Sequence, residues 1–366
     1  MGTVEDWVSA PARVAEPGEG VSVDELRLAA RNHGLPLEAL RYDVTPAGLH
    51  YLLTHYDIPA LDPAGWRLTV SGAVARPLSL SLDDLRARPR VTHRVTLECA
   101  GNGRARLSPR PVSQPWLDEA VGTAEWSGTP LAAVLAEAGV APSAVDVAFT
   151  GADRGLERGV EQTYQRGLPL AEALRDDVLL ADEMNGGPLP PQHGAPVRLI
   201  VPGWYGMAHV KWLVGVDVLE SAFDGFQNVT AYRVKQSADD PGEPVTRILP
   251  RALIQPPGVP DFQSRVRVLD SGVVELTGRA WSGWAPVESV EVSTDDGGTW
   301  RPAELGPQPA PYAWRSWRFE WTAHPGRHEL RARARDAAGH EQPVDQAWNR
   351  QGVANNHAQQ LTVVVR

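Results

Sequence analysis

The only cysteine of the chain, Cys99, lies in the segment best suited to chemistry. The apolar stretch Val95-Thr-Leu-Glu98 leads into it, and the small residues Ala100-Gly-Asn-Gly103 follow. The thiol is therefore predicted to stand where a strand ends and a tight loop begins. Four basic residues lie close to it in the sequence: Arg94, Arg104, Arg106 and Arg110. We expect these cations to lower the pKa of the thiol, and a thiolate is a soft ligand suited to a transition metal.

Two other interpretations of Cys99 stay open on composition alone. A lone cysteine is most often a small, buried apolar residue of a core. It can also be a nucleophile that works with a histidine, although no thiol-hydrolase signature surrounds Cys99. A single cysteine cannot form an intrachain disulfide, which fits a reducing compartment.

Short apolar strands and short helices alternate from Trp66 to about Val218, and these elements must position the thiol. The strands are predicted at Val91–Glu98, Val145–Phe149 and Val197–Val201. One helix is predicted at residues 23–33, after a capping box of Ser22 and Glu25. A second is predicted from Pro130, at the first helical position after an N-cap at Thr129, to a stop at Gly139, and a third at Pro169–Leu174. Residues 1 to about 20 are predicted to form an extended arm.

The pattern changes near residue 237, after a linker-like stretch rich in acidic residues and proline. Beyond it, apolar residues recur at every second position, as in Trp317, Phe319 and Trp321, which is typical of strands with one buried face. Such strands predict an immunoglobulin-like β-sandwich. The fold class is therefore α+β: a mixed α/β domain at residues 1–236 is followed by an all-β domain at residues 237–366.

Bulk properties limit the partners. A formal net charge of −10 over 366 residues disfavours nucleic acid and anionic membranes. No apolar run approaches the roughly 20 residues that span a bilayer. Met1–Ser22 lacks the basic and apolar regions of an export signal, so we expect a cytoplasmic protein.

Two segments resemble the sulfite oxidase family, which includes the eukaryotic nitrate reductases. Leu97-Glu-Cys-Ala-Gly-Asn102 is similar to the family's molybdenum-ligand motif. His193-Gly-Ala-Pro-Val-Arg198, followed by Val201-Pro-Gly-Trp-Tyr-Gly-Met-Ala-His-Val-Lys-Trp212, is similar to its pterin-binding segment. The order and spacing of these segments match the family, as does the all-β C-terminal third, so the resemblance covers roughly residues 40–366.

The resemblance implies a role for each matching residue. Cys99 would supply the protein's one bond to molybdenum, and the other sulfur ligands would come from the pterin cofactor, molybdopterin. The residues implied to hold the pterin and its phosphate are His55, Asp153, His193, Arg198, His209 and Lys211. Tyr164 matches the active-site tyrosine. The residues implied to line the oxyanion pocket are Arg104, Trp116 and Arg315; the last belongs to the β domain, so the pocket would form between domains. His33, His50, His93 and the C-terminal histidines lie outside the motifs and are expected to be solvated surface residues or capping groups.

One departure concerns the substrate. Where most sulfite oxidases read Arg-Asn-His, this chain reads Leu53-Thr-His55, and the arginine binds the anionic substrate in the family. Loss of one charge-assisted contact is worth about 1.5–3 kcal/mol, or roughly tenfold or more in affinity. The resemblance thus implies oxidation of sulfite to sulfate, with three alternatives: reduction of nitrate or a sulfoxide, oxidation of another sulfur compound, or a non-catalytic family member.

The remaining partners are also expectations. The chain has no Cys-x-x-Cys-His motif for a c-type haem, and we expect no haem of any kind. Electrons would pass to an external acceptor, either a separate cytochrome or dioxygen. The family's C-terminal domain implies a homodimer.

Overall fold

The computed structural model describes residues 13–157, 160–345 and 347–366, so most of the predicted N-terminal arm lies outside the described residues. The α-helices are α1 (Val23–Arg31), α2 (Leu82–Arg86), α3 (Leu131–Ala138) and α4 (Leu170–Ala173). The strands before residue 245 are β1 (Leu68–Gly72), β2 (Leu78–Leu80), β3 (Val91–Glu98), β4 (Val121–Pro130), β5 (Asp146–Glu157), β6 (Val160–Pro169), β7 (Leu179–Met184), β8 (Gly187–Pro188), β9 (Arg198–Ile200), β10 (Leu213–Leu219), β11 (Arg233–Val234) and β12 (Glu243–Pro244). The later strands are β13 (Arg251–Ile254), β14 (Val259–Pro260), β15 (Arg267–Leu269), β16 (Gly272–Trp281), β17 (Val287–Ser293), β18 (Arg301–Pro302), β19 (Glu304–Leu305), β20 (Arg315–Ala323), β21 (Gly326–Asp336) and β22 (Leu361–Val365).

Two sheets build the N-terminal part. One has the order β2-β1-β10-β5-β6, and the other has the order β3-β4-β7-β8 with β9 paired to β7. Their shared core contains fully buried side chains such as Leu68, Phe149 and Leu199. β3 pairs with β4 along its whole length and ends at Glu98, so Cys99 is the first residue beyond the strand, as predicted.

The helix starts follow the sequence with one exception. Ser22 and Glu25 form the predicted capping box at α1. At α3 the buried face and the end at Gly139 are as predicted, but the predicted N-cap is wrong. Pro130 is the N-cap residue, because Thr129 still belongs to β4 and its hydroxyl donates to the carbonyl of Leu85 at 2.9 Å.

The C-terminal part is a two-sheet sandwich, which confirms the predicted fold class. The sheet orders are β13-β16-β20-β19 and β14-β15-β22-β21-β17-β18. The alternating aromatic residues of β20 point into its core. The alternation of apolar and polar residues along β16 predicts that the Arg279 side chain lies on the exposed face of this strand. The structure differs. Arg279 is buried and donates to the carbonyls of Leu40 and Arg41, because that face of the sheet packs against the N-terminal part.

A third apolar cluster joins the two parts of the chain. Leu35, Val121 and Tyr205 from the N-terminal part pack with Trp281 and Trp314 from the sandwich. The predicted division at residue 236 stays a prediction, since buried residues on both sides of it belong to this cluster. None of the described helices is long and apolar enough to cross a bilayer.

Candidate cofactor site

A cavity opens beside the loop that follows β3. Its wall is built by β3, β5, β6 and β9 together with the loops around residues 50–55 and 206–211. Eight of the predicted site residues lie on this wall: His55, Cys99, Asp153, Tyr164, His193, Arg198, His209 and Lys211. The structure thus brings together residues that are more than 150 positions apart in the sequence.

The Cys99 side chain is only 6% exposed, yet it lines the cavity. Burial raises the pKa of the thiol, and the Arg104 guanidinium, the Gly101 amide and the Trp116 indole only partly oppose this rise. The predicted lowering of this pKa is therefore wrong. Three of the four nearby arginines are paired with carboxylates elsewhere, which leaves Arg104 as the one that acts on the thiol.

Arg198 is a buried cation and Lys211 a partly buried one, and both face the cavity. The Arg198 guanidinium donates to the carbonyls of His193 at 3.0 Å and His209 at 3.2 Å, and its Nε has no hydrogen-bond partner among the described residues. The Lys211 ammonium donates to the carbonyls of Leu53 at 2.8 Å and Gln192 at 3.1 Å. Within the described parts of the chain, neither cation has a carboxylate at ion-pair distance. Such a pair fits an anion with several oxygen atoms, such as a phosphate.

Burial also sets the charge state of these groups. It lowers the pKa of Lys211 to about 7 and that of Arg198 to about 10. It raises the pKa of Asp153, which lines the same cavity, to about 6. A bound anion would favour the charged forms of both cations, because an opposite charge nearby offsets the loss of hydration.

Four neutral histidines complete the wall. Burial lowers the pKa of His50 and His55 to about 4 and that of His209 to about 3, and it lowers the pKa of His193 as well. The His209 Nδ1 accepts from the amide of Val201 at 3.1 Å, so its Nε2 donates to the carbonyl of Trp204 at 3.0 Å. Neutral rings can both donate to and accept from the polar edge of a heterocycle.

His50 was expected on the surface, and that expectation is wrong. Its side chain is buried, its ring lies 5.5 Å from that of His193, and its Nε2 has no hydrogen-bond partner in the described structure. Its sequence neighbours carry no motif, so local pattern could not reveal it. His357 was likewise expected on the surface but is buried, with its Nδ1 2.8 Å from the side-chain oxygen of Asn355.

Three tyrosines line the cavity: Tyr51, Tyr164 and Tyr232. The Tyr164 hydroxyl, from β6, donates to the carbonyl of Met207 at 2.8 Å. The Tyr232 hydroxyl lies 2.7 Å from the Nε2 of His55. Sequence reasoning missed Tyr232, which follows a short π-helical turn that no local pattern predicts.

Two of the residues expected around the oxyanion pocket, Arg104 and Trp116, lie behind the cavity wall. Arg104 is buried behind the Cys99 loop, where its Nε donates to the carbonyl of Gln351 at 3.0 Å. Trp116 is buried beside the thiol, where its indole favours the thiolate form. Neither residue is on the cavity wall.

The structure does not bring Arg315 to the cavity, contrary to expectation. Its guanidinium donates to the carbonyls of Gly306 and Val287 inside the sandwich, because strand pairing turns it toward β17 and β19. Residues 351–357 are the part of the β domain that reaches the Cys99 loop. There, Asn355 donates to the carbonyl of Gly103 at 2.7 Å.

Leu53 occupies the wall where a cation was expected. Its side chain packs at the edge of the apolar cluster that contains Cys99, while its carbonyl accepts from Lys211. The wall is therefore apolar at the position where the family's sequence motif has a cation.

These residues fit a molybdenum–pterin cofactor. A soft sulfur donor faces the cavity, and neither Arg198 nor Lys211 has a carboxylate at ion-pair distance among the described residues. The His50 Nε2 and Arg198 Nε are buried without hydrogen bonds in the described structure. Buried polar atoms without partners are uncommon in native proteins and are often explained by a missing ligand or water.

The chain is similar to several known proteins. A family profile described as "Oxidoreductase molybdopterin binding domain" matches residues 55–227, and one described as "Mo-co oxidoreductase dimerisation domain" matches residues 258–365. Mitochondrial sulfite oxidase of Mus musculus is 37% identical over 86% of this chain and 60% of that protein. Sulfite oxidase of Gallus gallus is 36% identical over 85% of this chain and 71% of that protein. Nitrate reductase [NADH] 1 of Oryza sativa is 32% identical over 86% of this chain and 37% of that protein.

A solved structure resembles the whole fold. The sulfane dehydrogenase SoxCD from Paracoccus pantotrophus aligns with a TM-score of 0.79 and 26% sequence identity, covering 96% of each chain. The chain spans about 60% of the length of the mouse and human sulfite oxidases that it matches.

Proposed function

The chain belongs to the sulfite oxidase family of molybdopterin-dependent oxidoreductases, and on that premise we propose that it oxidises sulfite to sulfate by oxygen-atom transfer. The observation that carries the proposal is the position of the Cys99 thiol, which faces the cavity that also contains Arg198 and Lys211. When bound, the molybdenum cofactor would supply the two-electron redox chemistry and the transfer of oxygen.

The chain would hold that cofactor at its metal and at its phosphate. Cys99 would bind the metal as a thiolate, since coordination removes the proton that burial otherwise favours. Arg198 and Lys211 would bind the phosphate, and their existing bonds to backbone carbonyls hold them in place. His193, His209 and Asp153 would contact the pterin ring.

The substrate end would use the groups next to the thiol. Arg104 has no carboxylate partner among the described residues, so its charge would contribute a positive field for an anion. His55 and Tyr232 form a hydrogen-bonded pair that can hold a proton at the tyrosine hydroxyl, which would orient the substrate oxygen. Tyr164 would position this pair through its ring, whose centroid lies 5.0 Å from that of His55. Trp116 would pack against the thiol.

A second candidate function keeps the cofactor and changes the substrate. Leu53 makes the wall apolar where the family motif has a cation, and Arg315 lies elsewhere, so the cavity offers a free sulfite ion fewer charges. The structural neighbour described as a sulfane dehydrogenase acts on a different sulfur compound. Another sulfur substrate is therefore favoured over nitrate, because the nitrate reductase is the less similar relative.

The partners follow from the family and stay proposals. The dimerisation domain at residues 258–365 supports a homodimer. The electrons would leave to an external acceptor, either a separate cytochrome or dioxygen, and no haem is proposed for the described domains.

The test is metal and pterin analysis of purified protein combined with a sulfite–ferricyanide assay. We expect one molybdenum per chain and ferricyanide reduction that depends on sulfite. Thiosulfate, nitrate and a sulfoxide, the last two with an artificial electron donor, test the alternatives in parallel. A Cys99→Ser variant that binds molybdenum and keeps full turnover would refute the proposal, and protein without molybdenum from a cofactor-competent host would favour a non-catalytic protein.

A further inference from the structure

A buried ionic cluster lies directly behind the Cys99 loop and crosses between the two parts of the chain. Arg251, the first residue of β13 in the sandwich, is fully buried. One guanidinium nitrogen donates to Glu98 at 3.0 Å and to the carbonyl of Asn355 at 2.8 Å. The other donates to Asp118 at 2.8 Å.

The two carboxylates of this cluster flank the loop that presents the thiol. Glu98 immediately precedes Cys99 and also accepts from the Trp281 indole at 2.8 Å. Asp118 lies near the start of β4, and its backbone carbonyl accepts from the side-chain nitrogen of Asn102 at 3.2 Å. The Arg251 guanidinium therefore connects the start of the loop to the strand against which the loop folds.

Asn102 transmits this connection to the loop backbone. Its side-chain nitrogen donates to Glu98 at 3.0 Å, and its side-chain oxygen accepts from the amide of Ala120 at 3.0 Å. The loop itself is closed by two backbone bonds, from Cys99 to Ala120 at 2.9 Å and from Asn102 to Cys99 at 3.0 Å. Of the loop groups, the Asn102 side chain is the one that contacts the Glu98 carboxylate directly.

Stability alone is a weak reason for burying three charges at this point. Replacing a buried ion cluster with apolar residues of similar size is often neutral or stabilising, whereas the planar fork of an arginine fixes two carboxylates in a defined geometry. None of the three charged side chains faces the cavity, so they cannot serve the ligand directly.

We propose that Arg251 is a positioning residue for the metal ligand: from the sandwich domain it fixes Glu98 and Asp118, and so holds the loop that directs the Cys99 sulfur into the cavity. The functional meaning of this role rests on the proposed function, because it assumes that Cys99 binds the metal. The geometric role does not depend on any bound cofactor and can be tested without one.

The test is hydrogen–deuterium exchange of the cofactor-free protein, read at the amides of residues 99–104. Arg251→Met should speed exchange of the Cys99 and Asn102 amides at least tenfold while the core strands stay protected. Because Cys99 is the only cysteine, its alkylation rate with iodoacetamide at a fixed pH is a second readout and should also rise at least tenfold.

The matched control is Arg279→Met. Arg279 also lies in the sandwich, is also buried and also bonds across to the N-terminal part, at Leu40 and Arg41, but it does not contact the loop. It should leave exchange of residues 99–104 and alkylation of Cys99 unchanged. Equal effects of the two variants on the loop would show a general loss of domain packing and overturn the proposal.

If Arg251→Met does not fold, two further variants test the same proposal. Arg251→Lys keeps the charge but can reach only one carboxylate at a time, so it should give a smaller increase in loop exchange. A variant with Glu98→Gln and Arg251→Met together leaves Asp118 paired with Arg106, carries no unpaired charge in the cluster and should still show the faster exchange. Loop protection equal to that of the parent protein in any folded Arg251→Met form would refute the positioning role. Protein that lacks molybdenum but shows the expected exchange would refute only the proposed function.

Discussion

Lys211 should control cofactor retention through its charge, and the pH dependence of binding should report it. Burial lowers the pKa of this ammonium in the cofactor-free protein to about 7. The protonated form binds a phosphate and the neutral form does not, so cofactor affinity should fall as the pH rises above 7. Below that pH the contribution of Lys211 is complete, because the ammonium is already charged before binding.

The size of the fall in cofactor affinity follows from the pKa of Lys211. One pH unit above the pKa of a required group costs about 1.4 kcal/mol. Lys211 is half protonated at pH 7 and about one hundredth protonated at pH 9, so affinity should fall roughly fiftyfold between these pH values if Lys211 must be charged. Lys211→Met removes one charge-assisted hydrogen bond, which is worth about 1.5–3 kcal/mol, or roughly ten- to a hundredfold in affinity at neutral pH. The variant should also lose the fall in affinity above pH 7.

The assay is reconstitution of cofactor-free protein with purified molybdenum cofactor, with the dissociation constant measured between pH 6 and pH 9. The chain has one other lysine, Lys235, which lies off the cavity wall, so Lys235→Met is the matched control and should bind like the parent protein. A Lys211→Met variant that binds as tightly as the parent and keeps the same pH profile would refute the assignment of a phosphate to this cation.

Two more substitutions test the substrate end of the cavity. Leu53→Arg places a cation on the cavity wall and should lower the KM for sulfite roughly tenfold or more. The control Leu53→Met should leave the KM unchanged. An unchanged KM in the arginine variant would show that position 53 does not face the substrate. Gly101→Ala would place its methyl group 2.6 Å from a guanidinium nitrogen of Arg104, so we expect a loss of about 1–3 kcal/mol in the free energy of unfolding by urea, whereas Gly48→Ala, which meets no atom within 4 Å, should be close to neutral. Equal stability of the two alanine variants would contradict the close contact between Gly101 and Arg104.

The sequence predicted eight residues of the cavity wall, and the local pattern was clearest where the site is contiguous in the chain. Cys99 follows a strand whose limits were visible in its apolar pattern, and His193 to Lys211 form one unbroken segment. His50 and Tyr232 were missed because each comes from a loop without a local pattern and reaches the cavity only through tertiary packing. Strand alternation showed which face of a strand is buried, but it could not show which domain covers that face.

The predicted pKa of Cys99 failed for a related reason. Counting cations near a thiol in the sequence ignores both their partners and the hydration that the thiol loses. In the folded chain Arg94, Arg106 and Arg110 are neutralised by carboxylates, and the burial of Cys99 outweighs the effect of Arg104. Only the three-dimensional arrangement decides which of these opposing effects is larger.

The apolar cluster shared by Leu35, Val121, Trp281 and Trp314 also limits how the protein can be recombined with its relatives. A chimera that joins the first part of this chain to the second part of a homologue would bring together side chains shaped for different neighbours. Replacing the C-terminal third with that of a relative therefore requires matching substitutions on the N-terminal side of this cluster. Chimeras that transfer both sides of the cluster together should be the ones that fold.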